Sequence, residues 1–185
     1  MTQYAIVTDL NRCVGCLACA VACKVANNVP IGSFWNKVLR IGPNPSTEGS
    51  DFPNVDMYFL PIQCQHCENP ACVANCPTGA MAKREDNGAV VVDQDVCIGC
   101  GTCVNSCPYE VPQIDEEAGV SSKCTLCFDR LDNDHRPWCV QACPAEARIV
   151  GDLNDPESEV SKYIAEKGAV PYLEENGTTP SVYYV

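Results

Sequence analysis

The chain has 185 residues, 46% hydrophobic and 19% charged, with 24 Asp and Glu against 12 Lys and Arg for a formal net charge of −12. That balance excludes a nucleic-acid binder, which needs a basic patch to displace counterions from phosphates. Sixteen cysteines, about 9% of the residues, leave two classes open: a disulfide scaffold or a metal protein.

Taken in chain order, Gln3 to Thr8 reads as a strand, and the segment Met1 to Asp9 lacks a basic n-region, a twin-arginine pair and an apolar h-region. No apolar run approaches the eighteen or so residues that span a bilayer. The expectation is a chain with neither a signal peptide nor a transmembrane helix of its own, cytoplasmic, or exported or membrane-associated only together with a partner. A first cysteine group follows at Cys13, Cys16, Cys19 and Cys23. Gly42 to Asn54, rich in Gly, Pro, Ser and Asn, reads as a loop, and Asp56 to Leu60 as a strand. The second group is Cys64, Cys67, Cys72 and Cys76, followed by a strand signal at Ala89 to Asp93. The third is Cys97, Cys100, Cys103 and Cys107, followed by an acidic loop from Pro112 to Ser122. Cys124, Cys127, Cys139 and Cys143 form the fourth, with a strand signal at Arg148 to Gly151. Pro156 to Lys167 reads as an amphipathic helix. The tail from Gly168 ends in the apolar Val182-Tyr183-Tyr184-Val185, which is expected to pack on its own domain.

The four groups form an internal repeat. Their first two cysteines are always separated by two residues and their last two by three, while the middle gap varies as two, four, two and eleven. Three groups close with proline (Cys76-Pro77, Cys107-Pro108, Cys143-Pro144), and the first closes with Cys23-Lys24 instead. Residues between the third and fourth cysteines suit a helix of one or two turns that proline then stops. The repeated unit is strand, cysteine loop, short helix, strand.

Disulfides suit small secreted chains and not dense Cys-x-x-Cys pairs without a secretory signal. Zinc takes two separated knuckles and has no use for a third cysteine close behind them or for a terminal Cys-Pro. The bacterial ferredoxin run, Cys-x2-Cys-x2-Cys-x3-Cys-Pro, accounts for both, and its fourth cysteine ligates the other cluster of a pair. The segment from Cys97 to Cys107-Pro108 fits that run throughout. Three thiolates in a loop cap three irons of one cubane. The fourth, one turn on, is carried about 6 Å along the helix axis toward a neighbouring cluster. Gly15, Gly99 and Gly101 suit close approach of backbone amides to sulfur, and a plain turn role serves them equally.

Crossed ligation predicts the pairing. Groups two and three, close in sequence, form an inner unit with clusters on Cys64, Cys67, Cys72 and Cys107, and on Cys97, Cys100, Cys103 and Cys76. Groups one and four then form an outer unit with clusters on Cys13, Cys16, Cys19 and Cys143, and on Cys124, Cys127, Cys139 and Cys23. The expected fold is α+β: two interleaved bacterial-ferredoxin-like units, each holding two [4Fe–4S] clusters, related by a pseudo-twofold, with short helices and small antiparallel sheets. The division is 1–60 for the first part of the outer unit with its loop insertion, 61–111 for the inner unit, 112–152 for the second part of the outer unit, and 153–185 for the C-terminal helix and tail.

No nucleotide-binding glycine loop and no Ser/His/Asp set occurs, so no catalytic residue is assigned. His66 and His135 lie within cysteine groups, but with sixteen thiols supplied neither is needed as an iron ligand. Tyr58, Trp35 and Trp138 are expected to shield clusters or fill core, and Lys83-Arg84-Glu85-Asp86 to be a solvated turn.

With these motifs in hand, the sequence resembles the four-cluster iron–sulfur subunits of the dimethyl sulfoxide reductase family of molybdopterin oxidoreductases. The resemblance covers nearly the whole chain. It is carried by Asp9-Leu10-Asn11-Arg12-Cys13, by Cys64-Gln65-His66-Cys67-Glu68-Asn69-Pro70-Ala71-Cys72, by Lys123-Cys124-Thr125-Leu126-Cys127 and by Cys143-Pro144-Ala145-Glu146-Ala147-Arg148. The last of these and the ending Pro180-Ser181-Val182-Tyr183-Tyr184 look closest to arsenate- and polysulfide-reductase and phenol transhydroxylase types. The resemblance implies four [4Fe–4S] clusters and an electron-transfer role beside a large catalytic subunit carrying molybdopterin with Mo or W. It also implies a quinol-oxidising membrane protein or a soluble donor as the other redox partner. The same motifs suit a polyferredoxin-type relay in a hydrogenase or formate-oxidising complex.

Overall fold

The structure, a computed structural model, describes residues 2–47 and 51–185. In order its elements are β1 (Tyr4–Thr8), α1 (Ala18–Ala26), β2 (Asn36–Pro45), β3 (Val55–Gln63), α2 (Ala71–Ala74), β4 (Met81–Lys83), β5 (Val90–Val92) and α3 (Thr102–Ser106). Then come β6 (Gln113–Asp115), β7 (Val120–Ser122), α4 (Phe128–Leu131), α5 (Trp138–Gln141), β8 (Arg148–Asp152), α6 (Glu159–Lys167), β9 (Val170–Pro171) and β10 (Val182–Tyr184). None of the described helices is long and apolar enough to cross a membrane.

Strand β1 carries Ala5, Ile6 and Val7, all at most 1% exposed, a run apolar on both faces that must lie in the middle of a sheet. It does: the sheet runs β8-β1-β10-β9. β8 pairs antiparallel with β1, from Tyr4↔Asp152 to Thr8↔Arg148, and β10 pairs parallel to it, from Ile6↔Val182 to Thr8↔Tyr184. This sheet is therefore mixed, where small antiparallel sheets are expected from sequence. The tail supplies an inserted strand, and its apolar end packs at home. Helix α6 starts at Glu159 because the Ser158 hydroxyl accepts from the Ser161 amide as its N-cap. It lays the fully buried Val160 against Gly151 of β8, where a Cβ would meet Val160 Cγ1 at 3.2 Å.

The other strands form two-stranded hairpins, β2–β3, β4–β5 and β6–β7. Two segments expected as loops are partly strand. β2 runs to Pro45 and pairs with β3 through Asn44↔Asp56 and Pro45↔Val55, while residues 48–50 of that stretch lie outside the described residues. Within Pro112 to Ser122, Gln113↔Ser122 to Asp115↔Val120 close a hairpin around an acidic turn. Both are surface hairpins, partly exposed on both faces, so no clean period-2 pattern marks them. β6–β7 is tied down by Trp35, whose indole donates to Ser122 Oγ at 2.7 Å. Trp35 packs on the core around Leu60 and Cys64. Trp138 lies under the Arg130 guanidinium, 3.7 Å from its ring centroid. Tyr58 does not fill core: it is exposed on β3.

The tail also straps the second cysteine loop. Glu68 N donates to Thr179 O (2.8 Å), Asn69 N to Thr178 O (3.0 Å), and Ser181 N to Gln65 O (2.8 Å). Ser181 Oγ donates to His66 O (3.0 Å) and accepts from Gln3 Nε2 (3.0 Å).

Two outcomes follow. Val160→Ala loses two methyl groups from a site 0% exposed and lowers stability by about 2 kcal/mol, read as a lower denaturant midpoint at unchanged slope. Ser181→Ala leaves the His66 carbonyl and the Gln3 amide short of buried partners, costing about 2 kcal/mol. This cost is read as a lower denaturant midpoint of Ser181→Ala relative to the parent chain.

Candidate metal centres

The four Cys-x-x-Cys turns share a backbone feature that only half shows in the sequence. The residue before each second cysteine is left-handed: Gly15 at φ 66°, His66 at φ 42°, Gly99 at φ 64° and Leu126 at φ 62°. Glycine adopts this region freely, whereas His and Leu are held there by their surroundings. His66 is fully buried and its Nδ1 accepts from Val90 N at 3.0 Å. Leu126 is 2% exposed. Beyond each Cys-Pro a second left-handed residue recurs at one offset, Gly79 (φ 71°), Glu110 (φ 52°) and Glu146 (φ 47°). These turns bend the chain back so that amides face sulfur: Met81 N donates to Cys76 Sγ (3.4 Å), Leu126 N to Cys124 Sγ (3.4 Å) and Ala147 N to Cys143 Sγ (3.3 Å). Cys97 Sγ accepts instead from Ser121 N (3.3 Å), on strand β7.

The cysteines ring cavities. Cys76, Cys97, Cys100 and Cys103 line one. Cys13, Cys16, Cys19 and Cys143 line a second, with Arg148 in its wall. Cys64, Cys67, Cys72 and Cys107 line a third. Each draws three cysteines from one group and its fourth from another, and the three, at about 20 Å³ apiece, are alike in size. Cys23, Cys124, Cys127 and Cys139 stand close enough that negative charge on one opposes ionisation of another. Among the described residues no three His, Cys, Asp or Glu side chains gather as a single metal ion would need; the thiols surround volumes and not points. Four thiols around one enclosed space is the donor set of a [4Fe–4S] cluster.

Electrostatics separates two kinds of thiol. Burial pushes Cys23 and Cys72 up to about 12 and Cys67 up to about 11, with neighbouring thiolates adding to the rise. Burial likewise raises Cys124 well above the ordinary thiol value. Cys76 and Cys100 are lowered, the first mainly by the Met81 amide and the second by the Thr102 hydroxyl. A metal must displace protons from the buried thiols in order to bind.

Two cations accompany them. Lys123, 1% exposed, donates through Nζ to the carbonyls of Val90 and of Cys124 (3.1 Å to the latter). Arg148 is 4% exposed. Sequence reasoning takes Arg148 only as a strand residue. The signal that reveals it is the comparison of post-Cys-Pro segments, in which Arg148 stands five residues after Cys143 and Met81 five after Cys76. His66 offers Nδ1 to an amide, and His135 is exposed at the surface.

Comparison with known proteins agrees with this donor set. The 4Fe-4S dicluster domain family matches residues 55–153, and the 4Fe-4S binding domain matches residues 10–26. The chain is 44% identical to a subunit of the sulfite dehydrogenase of Allochromatium vinosum, covering 100% of this chain and 83% of that protein. It is 42% identical to a component of the anaerobic dimethyl sulfoxide reductase of Escherichia coli (83% and 76% covered). It is 40% identical to the thiosulfate reductase electron transfer subunit of Salmonella typhi (98% and 91% covered). The chain belongs to the iron–sulfur subunits of the dimethyl sulfoxide reductase family of molybdopterin oxidoreductases, as an electron-transfer subunit that carries four [4Fe–4S] clusters and leaves the chemistry to a catalytic partner.

Proposed function

We propose that the four clusters are held on Cys13, Cys16, Cys19 and Cys143; on Cys23, Cys124, Cys127 and Cys139; on Cys64, Cys67, Cys72 and Cys107; and on Cys76, Cys97, Cys100 and Cys103. The observation that carries this reading is the crossed lining of the cavities, three thiols from one group and the fourth from its partner group. When bound, such a cluster supplies a one-electron site whose potential is set by its hydrogen bonds, charge and solvent exposure. The amides of Met81, Ser121, Leu126 and Ala147 orient the thiols and stabilise their negative charge.

The four sites form a single file. Cys72, Cys76 and Cys103 share one packed core around Met81 and Val90, which joins the two inner sites. Cys64 and Cys124 share a second packed core, and Cys19 and Cys139 a third, so the remaining sites follow in turn. The file runs from the site of Cys100, through those of Cys64 and Cys124, to that of Cys16. Cys100 and Cys16, at its two ends, are the exposed cysteines. Each end is flanked by exposed apolar side chains, Val96 and Ile98 at one, Val14, Leu17 and Val21 at the other. Such surfaces suit covered interfaces more than free ones. One end meets a large molybdopterin subunit with Mo or W, and the other a quinol-oxidising membrane protein or a soluble redox partner. Two halves with the same turns after their cysteines suit a pseudo-twofold between inner and outer units.

Cys76→Ser tests the crossing. The variant should lose the EPR signal of the site built on Cys97, Cys100 and Cys103 and keep that of Cys64, Cys67 and Cys72; selective loss of the latter refutes the assignment. Purification of the chain from its native source should bring down a large subunit with stoichiometric Mo or W and pterin. Co-elution with a nickel–iron subunit and no pterin contradicts the proposed partner.

A further inference from the structure

Arg148 stands at the first position of β8, paired in register with Thr8. Only 4% of it is exposed, and among the described residues its guanidinium has no oxygen or nitrogen acceptor, its one polar neighbour being the sulfur of Cys19. A buried guanidinium so poorly matched is costly unless negative charge stands close by, and among the described residues no Asp or Glu pairs with it. Arg148 lines the cavity of Cys13, Cys16, Cys19 and Cys143, and Cys19 packs in one core with Cys139 of the other outer set, so Arg148 stands beside members of two different thiol sets. Cys23 of the second set in turn feels Arg148.

The inner unit provides the contrast. Five residues after its own fourth cysteine, where the outer unit has Arg148, it has Met81, 2% exposed and apolar. Both positions stand two residues after a left-handed residue, Gly79 or Glu146, in a turn that brings an amide to the preceding cysteine sulfur, that of Met81 itself in one and of the adjacent Ala147 in the other. The same place in the repeat is charged in one half and neutral in the other.

We propose that Arg148 is a counter-ion shared by the two outer clusters, raising the reduction potential of both. The inference rests on the cluster assignment proposed above. Four thiolates and a [4Fe–4S]²⁺ core sum to a net charge of −2, and one added electron takes this to −3. A fixed positive charge stabilises the reduced form more than the oxidised one and so draws the electron in. The low dielectric that makes an unpaired guanidinium costly makes this effect large. Because the guanidinium lies between the two sets, one residue moves both potentials together and leaves the cluster beside Met81 as it is. Arg148 acts as a positioning residue for charge; it is not a ligand.

The test is a potentiometric EPR titration of the full chain with its clusters loaded, reduced stepwise with dithionite, for the parent, Arg148→Met and Arg148→Lys. Iron content and the parent spectrum check the assignment first. A parent chain without four cluster signals overturns that assignment and not the role of Arg148. Arg148→Met makes the outer position like the inner one. It should lower two midpoints by at least a tenfold change in the reduced-to-oxidised ratio at fixed potential, about 59 mV for a one-electron couple. The other two midpoints should stay unmoved, and Arg148→Lys should return most of the shift. Fully loaded Arg148→Met with all four midpoints at parental values overturns the proposal. If Arg148→Met fails to load, Arg148→Lys decides. Four clusters at near-parental midpoints in the Lys variant show that the position needs charge and support the proposal. Equal failure of Lys shows that it needs shape and overturns it.

Discussion

The constraint on which this structure depends is the burial of negative charge. Cys23, Cys72 and Cys124 sit where a thiol holds its proton far more tightly than in water, yet a cluster ligand must be a thiolate. Iron supplies most of the compensating charge. The protein supplies the remainder as fixed dipoles and two buried cations. Backbone amides aimed at Cys76, Cys124 and Cys143 are the simplest of these, since they require only that the chain turn back on itself, while Cys97 takes its amide from Ser121 on β7. The left-handed residues before each second cysteine and after each Cys-Pro are the local geometry of that requirement.

The pattern of cysteines is legible in the sequence because ligand spacing is a local property. Four groups, three Cys-Pro closures and the strands beginning near Gln3, Asp56, Ala89 and Arg148 all appear close to where spacing and alternation put them. What lies beyond reading depends on distant partners. His66 and Leu126 occupy the place of Gly15 and Gly99, but nothing in their chemistry announces a positive φ; packing around Val90 and within the core holds them there. The β6–β7 hairpin reads as an acidic loop because its anchor is the Trp35 indole, far away in sequence. The end of β2, with Pro43 and Pro45, reads as a breaker until β3 lies beside it. Tyr58 is aromatic and yet on the outside, since it lies in the first half of β3, which is exposed on both faces, while Leu60 to Gln63 enter the core. Arg148 reads as an ordinary strand residue, and only the comparison with Met81 and its lack of an oxygen or nitrogen acceptor set it apart.

The proposed inner and outer sites are braced by different means. Residues 61–111 are contiguous, braced by the β4–β5 hairpin and by Tyr109, whose hydroxyl meets Thr178 at 2.7 Å. The first and fourth cysteine groups lie on distant stretches of chain, and β1 and β8, which flank them, meet in the mixed sheet. The tail serves both regions, completing the sheet through β10 and strapping the loop of Cys64 to Cys72.

Strand β1 is made early and finished late. Its neighbours in the sheet come from residues 148–152 and 182–184, so a nascent chain leaving the ribosome carries Ala5, Ile6 and Val7 uncovered while the rest is synthesised. Contacts this distant in sequence form slowly, because a long loop must close before they stabilise anything. The loop of Cys64 to Cys72 is synthesised well before the tail, yet it too waits for Thr178, Thr179 and Ser181 to strap it. One C-terminal segment therefore finishes both ends of the chain's work: the sheet around β1 and the brace on the second cysteine loop close together, and only when synthesis is over.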